Sequence, residues 1–225
     1  MMNSARERIL AKVRRGLEAS GQRSIAMAHA ARELAYGEMP SPRQPWKGNA
    51  TERFCQRFEA WAGTWQRLSR VGEIPMAVQA LLGPEDFVSV APHSLLRELD
   101  WPSQMAVNHE APADCRLAVS VADAAIAETG TLVLCSGPQS PTGLALLPET
   151  HVVILRTETI LPDMEAVWRH LQPEPPFPPR SLNTISGPSR TADVEQTIQL
   201  GAHGPRRLHV LLLGEHIGEM SAGGI

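Results

Sequence analysis

The sequence predicts an α/β protein: a mostly parallel β-sheet flanked by helices, preceded by a helical N-terminal region. Three observations carry this reading. From residue 86 onward, short apolar runs alternate with helical segments, the order that builds a parallel sheet. Several of these runs, at 117–121, 131–135, 152–155 and 208–213, are apolar without alternation, which marks strands covered on both faces. Before residue 84, by contrast, apolar residues recur at helical spacing. The plan is therefore a helical region over residues 1–83, an α/β domain over 84–214, and a tail over 215–225 that carries no motif.

Taken in order, residues 1–19 place Ile9, Val13 and Leu17 at four-residue steps, with Arg6, Arg8, Lys12, Arg14 and Arg15 on the other faces. This is a docking helix with one modest apolar stripe; Glu7 and Glu18 argue against an organellar presequence. A second short helix follows through Leu34, and the proline-broken stretch 39–48 ends it. Residues 51–70 read as the clearest helix of this region: Phe54, Phe58, Trp61, Trp65 and Leu68 recur at steps of four, three, four and three. Such a seam either packs on the main domain or forms a subunit interface. Residues 74–82 look helical again and end at Gly83-Pro84.

Strands are expected at 87–90, 117–121, 131–135, 152–155 and 208–213, with helices at 93–99, 122–127, 162–171 and 191–199. The segment 172–180 is proline-rich and reads as a stiff surface loop. Residues 183–214 read as a complete βαβ unit. A strand at 183–186 is broken by Gly187-Pro188-Ser189, Thr191 caps a helix, Gly201 stops it, and the run 208–213 follows.

Composition excludes several classes. Apolar residues make up 43% and charged residues 20%, an ordinary soluble balance, and no apolar run reaches the ~18 residues of a membrane span. No secretory h-region opens the chain, so the cytoplasm is the expected location. Cys55, Cys115 and Cys135 are far apart and odd in number, so neither a disulfide framework nor an iron–sulfur spacing is present. The histidines form no HExxH or similar pair, and neither a metal nor a cofactor is expected. Residues 1–70 carry 13 basic side chains against 6 acidic ones, whereas residues 71–225 carry 8 against 18. No helix-turn-helix, zinc finger or stacking aromatic series accompanies the basic arm, so nucleic acid is not an expected partner.

Two turns hold the candidate chemistry. In an open parallel sheet, ligands bind outside the carboxyl ends of strands, and a helix starting there offers free N–H groups. Ser189, Arg190, Thr191 and Asp193 occupy such a position in the 183–214 unit. Arg190 adds a full positive charge, while Asp193 and Glu195 would partly cancel the field a polyphosphate requires; the set suits a polar or carboxylate ligand better. Ser189 and Thr191 are also ordinary caps. The second turn is Glu128, Thr129, Gly130 and Thr131, a carboxylate and two hydroxyls at a tight corner. It serves either as a helix end or as a cleft edge opposite Arg190, with Glu128 as nucleophile, acid/base or clamp. His203, between two glycines, is a turn residue or a proton-exchanging cleft residue, and His209 reads as structural.

The segments AETGTLVL (127–134), LLPETHVVIL (146–155), GPSRTADVE (187–195) and GAHGP (201–205) resemble, in the same order, the LUD domain family in its lactate utilization protein C branch. The resemblance implies a fold like the ribose-5-phosphate isomerase, glucosamine-phosphate deaminase and CoA-transferase group. It also implies a role in oxidising L-lactate to pyruvate beside iron–sulfur protein subunits, with this chain as a non-redox subunit able to hold a small carboxylate ligand. Glu128-Thr129-Gly130 is similar to the Glu-x-Gly turn that bears the acyl-accepting glutamate of CoA transferases, which leaves a self-sufficient acyl-CoA or isomerase-type enzyme as an alternative. A regulatory or scaffold protein using the basic arm and aromatic seam is the third.

Overall fold

A computed structural model describes residues 11–12, 14–16, 48–83, 87–103, 105, 107–108, 115–172, 179–192, 198–201 and 204–214. The chain divides into two compact units, Met1–Pro45 and Trp46–Ile225. In the first, residues 11–12 and 14–16 are helical, and Ile9, Val13 and Leu17 of the expected stripe lie outside the described residues. The expected second helix, the connector 39–48 apart from Gly48, and the tail 215–225 lie outside the described residues.

The second unit is built on a parallel sheet. Its strands are β1 (Thr64–Leu68), β2 (Val88–Val90), β3 (Val107–Asn108), β4 (Leu117–Val121), β7 (Thr150–Arg156) and β12 (Arg207–Leu213), in the order β1-β12-β7-β4-β2-β3. Every pairing in it is parallel. A second sheet has the order β8 (Ile160–Leu161), β5 (Ala124–Ile126), β6 (Thr131–Cys135) and β9 (Leu182–Ile185). The helices are α1 (Ala50–Ala60), α2 (Ile74–Gln79), α3 (Ser94–Arg97), α4 (Gly143–Leu146) and α5 (Met164–Leu171).

Strand alternation sorts these elements into layers. On one face of the parallel sheet, Val152 and Ile154 of β7 and Leu211 and Leu213 of β12 pack with Ile74 and Val78 of α2, Leu96 of α3 and Leu144 of α4. On the other face, Val153, Leu155, Val210 and Leu212 meet Phe54 and Phe58 of α1 and Ala125, Leu132 and Leu134 of the second sheet. That sheet in turn presents Ala124, Ile126 and Val133 outward to Val167 and Leu171 of α5. Central strands covered on both sides must be apolar throughout, which is why β4 and all of β7 but its last residue are buried.

Four expectations are corrected. The helix expected over 51–70 ends at Ala60. Asn49 caps its start, its Oδ1 accepting from Thr51 N at 3.0 Å, and Phe54 stacks on Phe58 at 5.3 Å. Ala62 then takes a positive φ of 62° and Gly63 lies under the Phe58 ring, where a Cβ would collide, so the chain turns back as β1. Trp65 and Leu68 keep helical spacing by coincidence; pairing with β12 decides their conformation.

Residues 122–127 are not a helix. Ala124 and Ala125 sit on β5, narrow enough to lie between the parallel sheet and α5. The described ends of the helix expected at 191–199 are strand instead: β10 (Arg190–Ala192) pairs antiparallel with β11 (Ile198–Leu200), and the Gly201 N–H donates to Ser189 O at 3.1 Å. The strand expected at 183–186 exists as β9, but it belongs to the second sheet, so the βαβ unit is not formed. β1 is an edge of the parallel sheet, within the unit that begins at Trp46.

Candidate functional site

In the parallel sheet β2 and β4 are neighbours, yet the next strand of that sheet after β2 is β3 on one side and the next after β4 is β7 on the other, with β5 and β6 of the second sheet between them in the chain. Connections that depart in opposite directions open a crevice outside the carboxyl ends of the two strands, the place where open α/β sheets hold ligands. Three polar residues stand at or just beyond the carboxyl ends of β2, β4 and β7. His93 lies three residues beyond Val90, Asp123 two beyond Val121, and Arg156 closes β7 two beyond Ile154.

Each is positioned by its own local structure. The β2 ladder continues one step as Ala91 N–H donates to Val119 O at 2.9 Å; Pro92 then ends it and His93 caps α3, its Nδ1 accepting from Leu95 N at 3.2 Å. That bond assigns the proton of the neutral ring to Nε2, leaving Nε2–H as its donor. Asp123 starts β5. Its N–H donates to Val133 O at 3.0 Å and its Oδ2 accepts from Cys135 N at 2.7 Å. Arg156 meets Glu158 at 3.6 Å through Nη1, with the two side chains 47% and 62% exposed.

The electrostatics tie His93 to each of the other two. Burial holds His93 below its ordinary pKa; the Asp123 charge opposes this and the Arg156 charge adds to it. Burial of its carboxyl raises Asp123 above the usual carboxylate value, although part of the side chain remains in solvent; the Cys135 N–H, His93 and His170 of α5 pull it down. The rim thus offers a planar cation, a neutral N–H donor and a carboxylate that accepts a proton more readily than a free one.

The corner expected at residues 128–131 is a structural joint. Glu128 N–H donates to Pro162 O at 3.1 Å, extending the pairing of β5 with β8. Gly130 takes φ +68° and lies against α1, where a Cβ would stand 2.5 Å from Phe58 N. The Trp61 indole N–H, on a side chain 56% exposed, donates to Thr129 O at 3.2 Å. A chain of hydroxyls then runs from Thr129 to Thr131 at 2.7 Å and from Thr131 to Ser186 at 2.9 Å. The structure thereby brings Thr129, Gly130 and Thr131 to the end of β9. Arg190 opens β10 as an exposed residue, and Ser189 N–H donates to Pro205 O at 2.8 Å. The helix N-terminus expected at Ser189–Thr191 is absent: Thr191 pairs with Gln199 in a ribbon. Asp193 and His203 lie outside the described residues.

A third polar feature is internal. Ser120 Oγ and His151 Nε2 are 2.7 Å apart on β4 and β7, both buried, and no partner for His151 Nδ1 or Ser89 Oγ occurs among the described residues. Burial pushes His151 down to about 4, so the ring is neutral at pH 7. A serine and histidine at this distance match half of a nucleophilic triad, but neither reaches the surface. No helix among the described residues is long and apolar enough to cross a membrane.

A parallel sheet layered on an antiparallel-rich one, with helices on the outer faces, defines an α/β protein. The chain belongs to the LUD domain family, which it matches over residues 26–213. It is 34% identical over 131 residues to an uncharacterized protein of Neisseria meningitidis, covering 57% of this chain and 54% of that one. It is 32% identical over 119 residues to lactate utilization protein C of Exiguobacterium, 51% of this chain and 52% of that one. Lactate utilization protein C of Halalkalibacterium halodurans is 37% identical over 94 residues, 40% of this chain and 41% of that protein. The chain spans about half the length of the curated relatives it matches, or less. A crystal structure of a DUF162 family protein from Deinococcus radiodurans shares the fold with a TM-score of 0.54 at 22% identity, over 73% of this chain and 96% of that one.

Proposed function

We propose that this chain serves L-lactate utilization as a non-redox component of an iron–sulfur system that oxidises lactate to pyruvate. The observation that carries the reading is the match to proteins named lactate utilization protein C, at 32% and 37% identity, within a family that covers most of the chain. The placement of the cysteines supports a non-redox part. Cys55 lies on the buried face of α1, Cys115 in the core on the opposite face of the parallel sheet, and Cys135 is half-buried beside Asp123. Thiols in three separate environments do not ligate one cluster. Burial also lifts Cys55 and Cys135 to about 11, so both are protonated thiols at neutral pH rather than the thiolates a metal requires. Electron transfer is therefore assigned to partner subunits, and binding to this chain.

Deleting the gene and scoring growth with L-lactate as sole carbon source tests the proposal. Loss of growth, restored by the full chain, is expected, together with co-purification of iron–sulfur proteins at native expression. Undiminished lactate growth in the deletion ends it.

A further inference from the structure

We propose that the crevice outside β2 and β4 binds a small 2-hydroxy or 2-oxo carboxylate, with its carboxylate on Arg156, its 2-oxygen accepting from His93 Nε2–H and, in a 2-hydroxy acid, the hydroxyl donating to the Asp123 carboxylate. Sheet order, not sequence proximity, makes the site: its residues follow three consecutive strands of the sheet, β2, β4 and β7. Three strands at about 4.8 Å spacing span roughly 10 Å, which suits a short acid and excludes a nucleotide laid along the rim.

The donor set selects the class. A guanidinium fork pairs a carboxylate through two parallel N–H bonds, and Glu158 meets only its Nη1 end, at 3.6 Å and in solvent. Such an exposed pair is weak, so an incoming carboxylate displaces it. The His93 Nε2–H donates to a carbonyl or hydroxyl oxygen, because Nδ1 is occupied by Leu95 N. Asp123 accepts from a hydroxyl with Oδ1, because Oδ2 is held by Cys135 N. A simple carboxylate such as acetate engages the arginine alone. The 2-oxygen therefore adds affinity only where His93 and Asp123 are intact. The groups bearing on this pair are Arg156 and, from α5, His170. Choosing lactate as a probe rests on the functional reading above; the site itself rests on placement.

The test is titration of the purified full chain with L-lactate, pyruvate, acetate and inorganic phosphate, followed by NMR or calorimetry. The variants are chosen to keep their local structure. His93→Asn retains a side-chain oxygen to cap α3, and Asp123→Asn retains an oxygen for Cys135 N. Arg156→Gln changes an exposed residue, and thermal melts confirm that each variant is folded. Expected are binding of lactate or pyruvate at least tenfold tighter than acetate, a loss of tenfold or more for all carboxylates in Arg156→Gln, and loss of only the preference over acetate in His93→Asn and Asp123→Asn. Glu158→Gln, which removes the competing carboxylate, tightens binding. No carboxylate binding by the wild-type chain, an unaffected Arg156→Gln, or phosphate binding as tight as lactate overturns the inference. Failure to bind alongside lost lactate growth on deletion sinks the site and leaves the functional reading standing; binding with normal growth does the reverse.

Discussion

Ser120 Oγ and His151 Nε2 meet at 2.7 Å inside the parallel sheet, on neighbouring strands and beyond the reach of water. Because burial depresses His151 to about 4, the native state resists protonation that the unfolded chain accepts near pH 6.5. Stability from this residue is complete above pH 6.5 and is lost as pH falls toward 4, by about 3 kcal/mol. Urea denaturation at pH 7 and pH 5 checks the slope; His93 and His209, also depressed by burial, act in the same direction. Ser120→Ala leaves the ring nitrogen unpaired and costs about 2 kcal/mol at pH 7. Equal stability at both pH values counts against the buried neutral ring.

Gly130 carries a positive φ of 68° while its Cα lies against the α1 backbone. Gly130→Ala therefore adds strain and overlap together, and a loss of about 2 kcal/mol or more is expected. Gly72→Ala is the control, since an added Cβ there meets nothing within 4 Å. Thermal melts of the two variants should separate by several degrees.

Trp61→Phe keeps an aromatic body at the corner and removes the indole N–H that reaches Thr129 O. A loss of about 1 kcal/mol is expected, less than for a buried bond because the side chain is largely in solvent. Denaturation of the single variant and of a Trp61→Phe/Thr131→Val pair checks whether corner and hydroxyl chain are coupled.

Asp123 separates two roles of one side chain. Its pKa is raised, so the native state disfavours its charge above the unfolded carboxylate range, and that penalty disappears as pH falls through the folded pKa. Asp123→Asn removes the charge but keeps an acceptor for Cys135 N, and at pH 7 it is expected to be at least as stable as the native chain. Asp123→Ala loses the acceptor and costs about 1 kcal/mol. The ordering Asn above Ala in midpoint denaturant concentration is the readout.

Much of the sheet was legible because central strands of a parallel sheet must be apolar on both faces, and β4, β7 and β12 say so directly in LAVSV, VVIL and LHVLLL. The failures share one cause. The alanines of β5, the seam from Trp61 to Leu68 and the described ends of the segment 191–199 all carry helical patterns that strand pairing overrides. The Glu128–Thr131 turn was legible as a corner, but its neighbours, Trp61 and Ser186, come from elsewhere in the chain. His93, Asp123 and Arg156 were missed as a group because each looks ordinary beside its own neighbours. The available signal was positional: each lies within three residues of the carboxyl end of an apolar run already read as a strand, the end at which α/β sheets hold ligands.

The earliest strand, β1, has β12 as its single neighbour, across 145 positions from Thr64 to His209. During synthesis this edge stays open until the final strand leaves the ribosome, and any product stopped short of Arg207 bares the flanks of both β1 and β7. Premature termination anywhere upstream therefore yields sticky, proteolysis-prone fragments rather than a smaller working protein, which makes the terminal strand the latch on which the whole assembly closes.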